Sequence, residues 1–116
     1  MRTWAILMTA GPLATACTTA DVVSRPALAT FTSQRSVAEI ATCLSTAYAE
    51  RRVTIKTERT DRGVVLVASV PISGFSSVLD TVSIDDIGTE RTVTLRSKAK
   101  KAPPAATMDA LFRPCL

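Results

Sequence analysis

One short run does most to fix what this chain can fold into: Val64-Val-Leu-Val-Ala-Ser-Val70, β-branched and almost wholly apolar. Such a run reads as a central strand, buried and flanked by other strands. Upstream, Val53-Thr-Ile-Lys-Thr57 alternates apolar and polar residues, the mark of a half-buried strand. Between them Thr60-Asp61-Arg62-Gly63 is a turn, with Gly63 free to take positive φ, so the two strands are expected to pair as a hairpin. Downstream, Pro71–Ser77 reads as a connection. Val78–Asp85 alternates again, placing Val78, Val82 and Ile84 on one face with Asp80 as a polar guest among them. Asp86–Glu90 turns the chain, and Arg91–Arg96 is a fourth strand with Val93 and Leu95 inward.

Helical signals flank the strands. Ser36-Val37-Ala38-Glu39 is a capping box, in which the serine oxygen accepts a backbone N–H and the glutamate reaches back. Val37, Ile40, Ala41, Leu44, Ala47 and Tyr48 then recur at helical spacing, and Cys43 flanks that stripe. The helix is expected to end near Arg51-Arg52, where positive charge suits the C-terminal dipole. Met108, Leu111 and Phe112 keep the same spacing in a short last helix, ended by Pro114. The fold class is therefore α+β: two layers, with a four-stranded antiparallel sheet covered by an N-terminal helix and a short C-terminal helix.

The N-terminal residues concern location. Arg2 precedes the apolar run Trp4–Ala10, and Gly11-Pro12 breaks that run well short of the ~20 residues a membrane-spanning helix needs. A basic start, a short apolar core and small residues before a cleavage point make a secretory signal peptide; the plain alternative is a buried N-terminal helix. Leu13-Ala14-Thr15-Ala16-Cys17 resembles the lipobox of bacterial lipoproteins, although Ala14-Thr15-Ala16 also fits ordinary secretory cleavage. The layout as a whole resembles small proteobacterial lipoproteins.

That resemblance implies that Cys17 carries a diacylglycerol, and commonly palmitate, as the mature N-terminus. Thr18 stands where an aspartate would retain a lipoprotein in the inner membrane of enteric bacteria, which favours the outer membrane. The implied organisation is a signal peptide over 1–16, the lipidated cysteine and a flexible tether over 17–35, and an α+β domain over 36–116. The folded part would face the periplasm, within the cell envelope. Fully stretched, the tether would reach ~60 Å. Its end, Ala29-Thr30-Phe31-Thr32, is open to a second reading as a short edge strand.

There are three cysteines, Cys17, Cys43 and Cys115. In an oxidising compartment an odd count leaves one thiol to explain, and acylating Cys17 removes it. Cys43 and Cys115 then form the one available disulfide; the alternative is two separate buried thiols.

Catalytic signals are few. The chain has no histidine, so a Ser-His-Asp or Cys-His site is impossible. The four glycines make no phosphate-binding loop, and the cysteines are not spaced as C-x-x-C. Asp80, Asp85, Asp86 and Glu90 cluster in sequence around a turn; a weak divalent site or a two-carboxylate enzyme is the sharp reading, a solvated turn the plain one. No metal, cofactor or catalytic residue is assigned. The net charge of +4 is modest, and few aromatics stand in the chain, which argues against nucleic acid as a partner.

Lys98, Lys100 and Lys101 could touch anionic lipid head groups or envelope polymers, or could simply solvate a linker. The expectation is a non-enzymatic binding or structural module held to the membrane by its N-terminal lipid. Its partner would be a protein or polymer of the envelope.

Overall fold

The computed structural model describes residues 19–98 and 105–116. The elements run α1 (Thr19–Val23), β1 (Ala29–Ser33), α2 (Val37–Glu50), β2 (Thr54–Arg59), β3 (Gly63–Ile72), β4 (Phe75–Asp86), β5 (Arg91–Ser97) and α3 (Ala105–Phe112), followed by a 3-10 turn over Arg113–Cys115. The strands form one antiparallel sheet in the order β1-β5-β4-β3-β2. The sheet thus has five strands rather than four. The added one is Ala29–Ser33, which pairs with β5 in register Phe31 to Val93. The edge-strand reading of this segment is the one the structure adopts. Residues read as a tether therefore supply an edge strand and, from Thr19, a short helix.

α2 forms as its capping box requires. Ser36 Oγ accepts from the Glu39 N–H at 3.1 Å, and the Ser36 N–H donates to Glu39 Oε1 at 3.3 Å. Its C-terminus closes with a pair of reversed bonds, Arg52 N–H to Ala49 O at 2.9 Å and Val53 N–H to Tyr48 O at 3.1 Å. This closure needs a left-handed residue after the cap, and Arg52 takes it at φ 62°.

The stripe Ile40, Leu44 and Tyr48 buries against one sheet face. That face is assembled by register: Ile55 beside Ala68, Leu66 beside Val82, Val82 beside Leu95, and Ile84 beside Val93. Phe112 is fully buried in the same core and stacks on Phe31 with ring centroids 5.0 Å apart. Cys43 of α2 is disulfide-bonded to Cys115, their Cα atoms 5.5 Å apart. The opposite face carries Val67, Thr81, Thr94 and Arg96, and α1 packs there against β4 and β5, with Val22 fully buried and Arg96 Nε donating to the Arg25 carbonyl.

Three local expectations change. Gly63 is needed for close approach rather than for positive φ, because a Cβ there would overlap the Ile84 carbonyl. The supposed connection Pro71–Ser77 is mostly strand: β3 and β4 continue to a two-residue turn, Ser73 (φ 49°) and Gly74 (φ 84°), which matches the twist of a tight hairpin. Val78 does not share a face with Val82 and Ile84. Ala68 pairs with Asp80 but Ser69 pairs with Val78, so Leu79 is an extra residue and the alternation inverts across it.

Candidate functional site

Asp80 stands on the apolar face beside Ser97 and Ala68, and α2 gives it a partner. Tyr48 Oη donates to Asp80 Oδ2 at 3.4 Å. Burial first, and then the neighbouring carboxylate, push the Tyr48 hydroxyl well above its ordinary range. The phenol therefore stays a proton donor, and the pair ties α2 to β4.

The other carboxylates are not gathered. Asp85 and Asp86 are consecutive on β4 and so point to opposite faces. Asp86 is ion-paired with Arg91 at 3.8 Å and accepts from the Gly88 N–H at 3.2 Å. Among the described residues no three acidic or cysteine side chains converge as metal ligands. The acidic turn is thus a solvated loop with an internal ion pair.

A groove of about 880 Å³ opens between α2 and the outer part of the β2–β3 hairpin. It exists because α2 packs on β2, β3 and β4 near Ile55 but not over the outer inward side chains of β2: Thr57 and Arg59 are exposed. Ala41 and Ser45 form the helix wall, and Arg62 closes one end. The turn at that end is held by Thr60, whose Oγ1 accepts from the Gly63 N–H at 3.0 Å. Its hydroxyls, small side chains and two guanidinium groups suit a polar ligand held by hydrogen bonds.

A second surface lies at the other end of the sheet. β2 pairs with β3 only as far as Ser69, and β5 pairs with β4 only from Asp80. Beyond those rungs β3 and β4 continue alone as a two-stranded ribbon. Its final pair, Ile72 and Phe75, is 47% and 66% exposed. No charged residue occurs from 69 to 79. Sequence reading missed this feature; the available signal was the Ser-Gly dipeptide between two apolar runs.

Lys98 sits at the base of the ribbon. Its N–H donates to Leu79 O at 2.9 Å, and its carbonyl accepts from Arg25 Nη1. Lys100 and Lys101 lie outside the described residues, as does Cys17. Cys43 and Cys115 are brought together as a bond. Among the described residues no helix is long and apolar enough to cross a membrane. The chain matches no protein-family model, no curated protein and no solved structure.

Proposed function

We propose that the chain is a cell-envelope lipoprotein, anchored through acylated Cys17, whose folded part is a non-enzymatic binding module. One observation carries the reading: Cys43 and Cys115 are tied together, and the third cysteine stands directly after Ala14-Thr15-Ala16. A structural disulfide suits an oxidising compartment, and it leaves Cys17 as the thiol to which lipid chemistry is open. One acyl chain holds a protein only marginally, whereas two or three hold it in the bilayer. Periplasmic exposure on the outer membrane follows from Thr18 at the sorting position. The open polar groove beside α2 supports binding rather than catalysis, since no histidine can line it and, of its two carboxylates, Asp86 is engaged by Arg91 and Asp61 stands on the exposed turn.

The test is metabolic labelling with radioactive palmitate in a bacterial host, followed by intact mass of the purified chain. The expected mature species begins at an acylated Cys17, and Cys17→Ser loses the label. Label that persists in Cys17→Ser, or a purified native chain that retains Met1, overturns the proposal.

A further inference from the structure

The stretch between Cys17 and the folded body is short. Val22 is fully buried, and five peptide units separate it from Cys17, a reach of at most about 17 Å. This is far less than the ~60 Å of a free tether over 17–35. A lipid on Cys17 therefore holds the body against the bilayer by one end.

That end is identifiable. α1 packs on β4 and β5, Arg25 reaches the Lys98 carbonyl, and Arg96 reaches the Arg25 carbonyl. The two arginine contacts lie where β5 finishes and the ribbon leaves the sheet. At ~3.3 Å per residue, the ribbon tip stands about 13 Å beyond the last β4–β5 rung. The anchor segment and the ribbon thus start from the same end and have similar reach.

The surface chemistry of that end is also distinctive. Among the described residues four large hydrophobic side chains are exposed, namely Val23, Ile72, Phe75 and Ile87. Val23, Ile72 and Phe75 belong to the α1 and ribbon end, and Ile87 to the opposite one. Cations stand near the ribbon's base, beside the carboxylates of Asp80 and Glu50. Lys98 follows β5, and Arg51 and Arg52, both exposed, precede β2 at the rung where Thr54 meets Ser69. An uncharged apolar tip with cations set back from it complements an anionic bilayer, whose acyl region takes the tip and whose head groups meet the cations.

We propose that the β3–β4 ribbon is a second membrane contact. Ile72 and Phe75 enter the interfacial layer of the bilayer that holds the Cys17 lipid, an inference resting on the anchor proposed above. Two attachment points fix the orientation of the domain. They direct the groove between α2 and the β2–β3 turn away from the membrane, because that turn lies at the far end of the sheet.

The test uses full-length acylated protein carrying Ser73→Cys labelled with an environment-sensitive dye. It is reconstituted in vesicles of phosphatidylethanolamine and phosphatidylglycerol, with Asp61→Cys as the far-end control. Lipid-borne quenchers are expected to quench the dye at 73 roughly tenfold more than the dye at 61. In a Cys17→Ser background, Ile72→Ser/Phe75→Ser is expected to weaken vesicle partition roughly tenfold or more, with the disulfide intact as a folding control. An acylated chain whose dye at 73 is as water-exposed as that at 61 overturns this inference and leaves the anchor standing. A dye at 73 already shielded before vesicles are added reports a second copy on the tip, and equally overturns it. A chain that carries no acyl group refutes the anchor instead, and partition of the Cys17→Ser chain then decides the tip by itself.

Discussion

Removing the bond between Cys43 and Cys115 offers the sharpest quantitative check on how this domain is held. The two residues are 72 positions apart, so the bond closes a loop that spans most of the folded part. In the chain-entropy account, closing a loop of that length removes about 15 cal/mol/K from the unfolded ensemble, or about 4 kcal/mol at 25 °C. A domain of this size has roughly 5–15 kcal/mol in total, so the expected loss is a large share of its stability. Cys43→Ala/Cys115→Ala should therefore lower the urea midpoint by about 2 M, given a slope of about 2 kcal/mol per molar. Cys115 is also buried in the core, so the alanine variant loses sulfur contacts as well as the bond. Reduced wild-type protein keeps those contacts and should fall between oxidised wild type and the double variant. A loss below about 1 kcal/mol in both would refute the loop argument. It would mean that the unfolded chain without the bond retains structure that already keeps residues 43 and 115 close.

Three further outcomes are expected. Gly63→Ala forces a methyl into the Ile84 carbonyl, a backbone atom with little room to retreat, and should cost about 3 kcal/mol in denaturant unfolding. Arg52→Gly relieves a left-handed, exposed non-glycine residue at the α2 terminus and should stabilise by about 0.5–1 kcal/mol in the same assay. Glu39 is held below its ordinary value of 4.5, chiefly by the Ser36 backbone N–H and then by the Ser36 hydroxyl. A depressed folded value means that its contribution is complete above the ordinary value and is lost as pH falls through the lower one. Thermal scans from about pH 6 to about pH 3 should show a smaller acid loss in Glu39→Gln, which keeps the capping geometry but cannot titrate.

Local patterns in the chain were readable wherever short-range chemistry decides the structure. The capping box at Ser36, the apolar stripe of α2 and the hairpin of β2 with β3 all depend on residues within a few positions of each other. The facing of Cys43 toward Cys115 was readable too, since few partners were available to it. What escaped, or was left open between two readings as at Ala29–Ser33, depends on long-range pairing or on one extra residue. Ala29–Ser33 is polar and short, and becomes a strand because β5, some sixty residues later, offers it an open edge. The bulge at Leu79 leaves no mark in an alternating run, yet it inverts Val78 and leaves Asp80 inward to meet Tyr48. Of the two surface features, the groove follows from where α2 crosses the sheet, which the pattern of apolar residues does not specify. The ribbon follows from strands longer than their neighbours; Pro71 and Gly74 disguised it as a loop.

The first strand pairs with the last one, and the helix that follows it is sewn to residue 115. A polypeptide delivered amino end first, whether from a ribosome or through a pore, therefore waits with one sheet edge vacant and one thiol idle. The edge can be filled once residues 91–97 come free and the thiol only when residue 115 follows, so completion comes late and in two steps.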